Sequence, residues 1–386
     1  MTTRKRILQL HLWLGLTSGL VVLIVAVTGA LFVFEEEGRE VFQHKYYHVA
    51  VPDNGSRLPL TQLTDTFRAH FPKEKLNNIR WKETKDAAVI FFTKNKLVSI
   101  NPYTATIAGV RNVNGDFFIV VQKIHTELLL GKVGKQIVKW NVLIFFILCI
   151  SGLVLWWPRQ KKFFRQAITI NFKARSWKRV NWDLHRVLGF YALLVLLIIS
   201  MTGLFYAFDT ARNLVAFVTG SPVPDKDRKD MKVKVKPIAG QRFTLDEAYR
   251  YATANYPGAV ETFISPPVDS TAPIRIIMRY PYTLVRRQNT FFLSPYNGEL
   301  IKADLYTNYS AYDKVARSNY DLHTGRIRAL GIGSKIVYFL AALMAASLPV
   351  TGFLIWWGRR KKQRPATAVR RMQATAKAER PVEQEM

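Results

Sequence analysis

Cysteine is nearly absent: Cys149 is the one thiol in 386 residues. A lone thiol closes no disulfide, and no Cys-x-x-Cys-His run exists for covalent haem attachment. Cys149 itself lies in an apolar run and reads as a packing residue. Acidic residues are also scarce, 27 against 56 Lys and Arg, which leaves a formal charge of +29. That excess could point to nucleic acid, but its placement argues against one. The basic clusters, Arg4-Lys5-Arg6, then Arg159 through Arg179, then Arg359 through Arg371, each abut an apolar run. This is the positive-inside pattern of a multi-pass membrane protein, so the expected partner is a lipid bilayer. The basic segment 158–183 holds no Gly-rich nucleotide fingerprint and is too small for a flavin or nicotinamide domain. The chain is therefore not expected to depend on a nicotinamide by itself.

Long apolar runs are what the sequence has in abundance. The stretch His11 to Phe34, HLWLGLTSGLVVLIVAVTGALFVF, returns 174 positions later as His185 to Phe208, HRVLGFYALLVLLIISMTGLFYAF. Both carry His-x-x-x-Gly (His11 and Gly15; His185 and Gly189) and a later Thr-Gly (Thr28-Gly29; Thr202-Gly203). Each is long enough to cross a hydrocarbon core, which takes about 20 apolar residues. A histidine inside such a run is costly unless it is partnered, which makes it a candidate site residue. Gly15 falls one turn from His11 on the same face, and Gly29 returns to that face about five turns on. Two readings follow: small residues serving helix packing beneath a polar cap, or room beside an imidazole for a flat, bulky ligand.

Taken in order, residues 1–34 form a cytoplasmic start and a first span. Its apolar stretch is too long for a signal-peptide core and should remain as a helix. Residues 35–124 form an outer module: helical spacing over Leu60–Phe71 before Pro72, then strand-like runs at 78–81, 87–92 and 96–100, and a turn at Asn101-Pro102 before Tyr103. Residues 125–157 hold His125, carried by an amphipathic helix over 116–130, and a second span from about Gln136 that closes on Trp156-Trp157-Pro158-Arg159. The basic cytoplasmic loop is 158–183, and the third span is 184–208. A second outer module, 209–322, has a helix at Leu245–Tyr256 and strands at 274–278 and 290–293. Residues 323–357 hold His323 and a fourth span from about Ser334, followed by a basic cytoplasmic tail, 358–386. Gly131, Lys135, Ser151-Gly152 and Trp156-Trp157 recur at the same spacing as Gly331, Lys335, Thr351-Gly352 and Trp356-Trp357. The expected fold is a membrane four-helix bundle made by internal duplication, with two small α+β modules on the outer side and both termini cytoplasmic.

Four histidines occupy repeated positions: His11 and His185 near the cytoplasmic ends of spans one and three, His125 and His323 just outside spans two and four. Pseudo-two-fold symmetry would set like positions together, one pair at each face. Two facing imidazoles suit bis-His ligation of b-type haem. Zinc would want further ligands, and no repeated Cys, Asp or Glu accompanies these residues. His70 reads as a surface residue. His44 and His48 have no second-half counterparts, and a substrate-side role is open to them.

With these motifs in place, LHLWLGL…VTGALFVFEEE, LHTELLLGKVG…SGLVLWWPR, LHRVLG…MTGL and LHTG…TGFLIWWGRR resemble the PepSY-associated transmembrane family, over nearly the whole chain to about Lys362. That family includes iron-regulated inner-membrane proteins and siderophore reductases. The resemblance implies PepSY-like periplasmic modules, a bacterial inner-membrane location and, in the reductase members, two b haems passing electrons outward to a ferric siderophore. His11, His125, His185 and His323 sit in the matching motifs and take the haem- and metal-ligand role. The expected donor is a membrane quinol or a redox partner protein. Ferrous iron, bound more weakly than ferric by hard oxygen chelators, would be released. Arg275, Arg279, Arg286 and Arg287 would attract an anionic chelate, or else merely form a solvated strand face. From a different class, the alternative is a haem-free PepSY membrane scaffold that binds or regulates a protease or another envelope protein.

Overall fold

The computed structural model describes residues 2–222 and 233–360. The expected tail, from residue 361 on, lies outside the described residues. Among the described residues, four helices are long and apolar enough to cross a membrane: α1 (Thr3–Val33), α6 (Gly131–Trp156), α8 (Trp177–Ala207) and α12 (Gly331–Arg360). Between α1 and α6 lie α2 (Glu35–Phe42), α3 (His44–Tyr47), α4 (Leu60–His70), strands β1 (Asn78–Lys82), β2 (Val89–Phe92), β3 (Lys96–Ile100) and β4 (Ile107–Asn112), and α5 (Phe117–Glu127). The basic segment after α6 contains the short α7 (Phe164–Ile168). Between α8 and α12 come α9 (Asp209–Val218), α10 (Leu245–Asn255), β5 (Glu261–Ser265), β6 (Ile274–Arg279), β7 (Gln288–Leu293), β8 (Leu300–Asp304) and α11 (Ala311–Thr324).

The long helices form a square. α1 packs on α6 and α12, and α8 packs on the same two, which sets α1 and α8 on a diagonal. Their outward faces are apolar, with Leu20, Leu194 and Val337 exposed. The inward contacts use small or weakly polar side chains: Ser18, Thr28 and Ala30 on α1, Ala192 and Ser200 on α8, Ala341 and Ala345 on α12. Small residues let helix backbones approach closely where lipid supplies no hydrophobic drive for association. Cys149 is buried in this packing. The helices outrun the apolar stretches. α8 begins seven residues before Leu184, because the polar turn Trp177–Asp183 is stabilised outside the apolar core: buried Asp183 accepts from Arg179 (3.1 Å) and Arg186 (3.1 Å).

The two segments between the spans, expected as two small outer modules, share one sheet. All eight strands are antiparallel in the order β4-β3-β2-β1-β5-β6-β7-β8. The seam is β1 against β5, with Ile79 opposite Ile264 and Trp81 opposite Thr262. Alternation puts Ile79, Trp81, Ile264, Ile274, Ile276 and Met278 on one face, beneath Leu63 and Phe67 of α4 and Ala248 and Ala252 of α10. One core therefore serves both halves. A second tie crosses the seam: Asp246 of α10 accepts from the backbone N–H of Leu60 (2.5 Å) and Thr61 (2.9 Å). An anion at the start of α4 satisfies orphan donors and complements the helix dipole. The strands β4, β5 and β8 escaped the alternation reading of the sequence, and the turn after Ile100 extends through Ala105, whose φ is +56°, before β4 starts.

Candidate functional site

The histidines meet in pairs. His11 on α1 and His185 on α8 face one another across the diagonal with ring centroids 6.4 Å apart. His125 on α5 and His323 on α11 do the same at 6.1 Å, where those helices fold back onto α1 and α8. α1 thus carries a histidine at one end and Thr28 at the other, seventeen residues on and about 25 Å along the axis at 1.5 Å per residue.

In every case a hydroxyl of a different helix holds the imidazole. His11 Nδ1 lies 2.8 Å from Ser151 Oγ of α6, and His185 Nδ1 lies 2.9 Å from Thr351 Oγ1 of α12. His125 Nδ1 lies 3.2 Å from Thr28 Oγ1 of α1, and His323 Nδ1 lies 2.9 Å from Thr202 Oγ1 of α8. The proton can be located. Each hydroxyl already donates to a carbonyl of its own helix: Ser151 to Ile147 (2.8 Å), Thr351 to Ser347 (2.9 Å), Thr28 to Ile24 (2.7 Å) and Thr202 to Ile198 (2.7 Å). A hydroxyl so engaged is free to accept from Nδ1. His125 Nδ1 also reaches Val25 O (2.9 Å) and His323 Nδ1 reaches Ile199 O (3.1 Å), and a carbonyl only accepts. His125 and His323 are thereby held as the Nδ1–H tautomer with the Nε2 lone pair left over, and the hydroxyls at His11 and His185 are arranged for the same tautomer. Burial holds the His125 imidazolium below its ordinary pKa, and burial followed by repulsion from His125 pushes His323 down to about 4. Both shifts favour the neutral imidazole at His125 and His323, the form that ligates metals.

The residue after each hydroxyl is glycine, and each glycine lies under the ring its neighbour holds. A Cβ at Gly152 would come 3.4 Å from His11 Cε1, and one at Gly352 3.3 Å from His185 Cε1. At Gly29 it would come 3.2 Å from His125 Cε1, and at Gly203 3.6 Å from His323 Cε1. The repeated Ser-Gly and Thr-Gly dipeptides are legible in the sequence, but not as partners of histidines, because each serves a histidine of another helix. Gly15 and Gly189 have a different place. They border a cavity of about 260 Å³ beside His11 and His185, with Leu148 Cδ2 3.9 Å from a Cβ at 15 and Leu348 Cδ2 3.7 Å from one at 189. The cavity is mostly apolar, floored by Phe145, Leu193 and Leu196, with Arg186 and Arg359 among its lining residues.

The donor set fits a bis-imidazole centre. Two metal–nitrogen bonds of about 2.0–2.1 Å, with each ring centroid about 1.1 Å behind its nitrogen, need centroids about 6.3 Å apart. The observed 6.4 and 6.1 Å match that spacing. Among the described residues no third His, Cys, Asp or Glu joins either pair, so a structural zinc site is not formed there.

Structural features around the His125–His323 pair set its position. Asp116 caps α5 by accepting from Ile119 N (3.1 Å) and takes a two-pronged contact from Arg39 (2.8 and 2.9 Å). Glu35 and Glu36 at the start of α2 bind Arg326 (2.7 and 3.4 Å), and Glu36 and Glu37 bind Lys335 at the start of α12 (2.9 and 2.6 Å). Asp321, two residues before His323, accepts from Tyr282 (2.9 Å) and Arg286 (2.8 Å), which fastens the sheet to α11. Arg286 is therefore committed to a carboxylate inside the fold, as is Arg279 to Glu261 (2.8 Å), and neither is spare charge for a ligand. Arg275 and Arg287 stack over Phe292 and Tyr306. His70 is exposed, its ring against Thr66 O of its own helix.

Residues 8–359 match the family model described as the PepSY-associated TM region. No curated protein matches the chain.

Proposed function

The chain belongs to the PepSY-associated TM family, and on that premise we propose that it is a di-haem b electron-transfer protein of the bacterial inner membrane, reducing a ferric siderophore or other ferric chelate at the periplasmic face. The observation that supports this reading most is the pairing itself: four imidazoles in two facing pairs, each with Nδ1 occupied and Nε2 left over. His11 and His185 would hold one haem, and His125 and His323 the other. Bound haem b supplies reversible one-electron chemistry, its potential tuned by the hydrogen bonds behind the axial ligands. The hydroxyls of Ser151, Thr351, Thr28 and Thr202 fix ring orientation, and Gly152, Gly352, Gly29 and Gly203 let the rings lie close to the neighbouring backbone. Gly15 and Gly189 keep side chains out of the cavity, while Arg186 and Arg359 are the cations that line it.

Orientation follows from charge. Arg4, the loop between α6 and α8, and Arg359 all lie at the end of the bundle opposite the sheet, which under the positive-inside rule supports a cytoplasmic side for that end and a periplasmic side for the sheet. The cytoplasmic loop between α6 and α8 is short and basic, consistent with a membrane quinol or a partner protein as donor. Reducing ferric iron in an oxygen chelator weakens its binding and frees the ferrous ion. The repeated helix–strands–helix order of the two halves, with the pseudo-two-fold arrangement of the pairs, favours an internal duplication as the origin of both sites. The test is a dithionite-reduced minus oxidised spectrum with haem quantified per chain. Sharp b-type bands at two haems per chain are expected; a flat spectrum at full protein loading would overturn the reading in favour of a haem-free scaffold.

A further inference from the structure

Away from the buried pairs, Glu40, His44 and His48 come together on the sheet side of the bundle. Each offers one ligand atom, and these atoms lie within 4.8 Å of one another, the one such grouping of three among the described residues. His48 Nε2 is 2.7 Å from Glu40 Oε1, and His44 Nε2 is 4.0 Å from the same oxygen. The two rings stack at 4.2 Å and 11°. Ligand atoms on a tetrahedral ion stand about 3.3 Å apart at ordinary bond lengths, so the three atoms need only side-chain rotation to close on one. The backbone beneath is anchored: His48 bridges to Ala87, Ala88 N donates to Tyr47 O (2.9 Å) and Val49 N to Asp86 O (2.8 Å). Behind His48, the Asp86 carboxylate accepts from Nδ1 at 2.6 Å. A carboxylate on the far nitrogen is the arrangement that orients metal-bound imidazoles and raises their basicity.

We propose that Glu40, His44 and His48 bind a divalent first-row transition metal ion, with Asp86 as a positioning residue behind His48. Two imidazoles and one carboxylate, on an exposed surface with coordination positions open to water or a ligand, suit an ion of the iron(II), cobalt(II) or zinc(II) class rather than calcium or magnesium, which prefer oxygen. The site stands whether or not the buried pairs hold haem, since it shares no ligand with them.

The probe is cobalt(II), titrated into the full chain in detergent and read by its visible ligand-field bands, with zinc(II) as competitor. One equivalent per chain is expected, displaced by zinc. His44→Ala and Glu40→Gln, both at exposed side chains, should weaken binding by at least tenfold. His48→Ala should abolish it, and Asp86→Asn should weaken it by about 10–100-fold, the usual loss for an outer-shell partner. Visible haem bands should be the same in all variants, which separates this result from the fate of the haem reading. Should His48→Ala fail to fold, His44→Ala and Glu40→Gln still decide. Equal cobalt binding in wild type and both of those variants, or none in wild type, overturns the proposal and leaves Glu40–His48–Asp86 as an ion-paired surface cluster.

Discussion

The imidazole of His125 stands so close to Gly29 that a Cβ at position 29 would lie 3.2 Å from its Cε1. Thr28, the preceding residue, lies within hydrogen-bonding reach of the same ring. One dipeptide thus does two jobs, and the same division is repeated at Ser151-Gly152, Thr202-Gly203 and Thr351-Gly352.

Separability of the pairs is the first expectation. His11→Ala or His185→Ala should remove one haem of two and leave the other, because each pair draws its support from different dipeptides. His125→Ala or His323→Ala should remove the second. Haem per chain by pyridine haemochrome is the readout; a folded variant that loses both, or neither, contradicts the pairing.

Removing a supporting hydroxyl should act more gently. Ser151→Ala and Thr351→Ala leave the ligand in place but free its tautomer, and outer-shell losses of this kind cost about 10–100-fold in affinity. Haem retention under dilution should fall by that order for the cavity pair and shift the midpoint potential of that centre alone. Ser151→Thr should restore both. Unchanged retention and potential in Ser151→Ala would show that the hydroxyl is incidental.

Glycine replacements sort by position. Gly15→Leu and Gly189→Leu should fill the cavity and lower haem occupancy at the His11–His185 pair, with helix content unchanged by circular dichroism. Gly29→Leu should instead push His125 off its position and deplete the other pair. A Gly15→Leu protein with full occupancy would mean that the cavity is not where the group sits.

Asp116 offers a test of stability with pH. Burial alone would raise the pKa of its carboxyl, but the hydrogen bonds and charge of Arg39 outweigh that and hold it below the ordinary value. With the folded pKa below the unfolded one, the stabilisation is present above the unfolded value, about 3.9, and is lost as pH falls through the folded value. Asp116→Asn should cost about 3 kcal/mol at neutral pH, since it takes the carboxylate away from buried Arg111 (3.3 Å) while Arg39 keeps Glu35, and should flatten the acid limb of the unfolding curve. An unchanged acid limb would assign that transition to other carboxylates.

Direction can be read in vesicles. With haem reduced from the quinol pool, an impermeant ferric chelate should reoxidise it promptly in right-side-out vesicles and not in inverted ones. Prompt reoxidation only in inverted vesicles would reverse both the orientation and the electron flow.

The spans and the candidate histidines were legible in the chain because both are local properties. Twenty apolar residues in a row need no partner to be recognised, and a histidine within or beside such a run stands out at once. Strands such as Lys96–Ile100 and Ile274–Arg279 likewise announced themselves by alternation. Partnership is not local. The sequence holds the four Ser/Thr-Gly dipeptides, yet that Ser151 serves His11 while Thr28 serves His125 depends on which helices neighbour one another and at what height. The joining of the two segments between the spans into one sheet depends on β1 meeting β5, strands some 180 residues apart in the chain whose pairing is made by backbone hydrogen bonds that carry no side-chain signature. The arginines show the same divide: their charge is written in the sequence, but that Arg286 is neutralised by Asp321 and Arg279 by Glu261 was decided by packing. Periodicity tells a side chain which face it occupies; only the assembled backbone decides what it meets there.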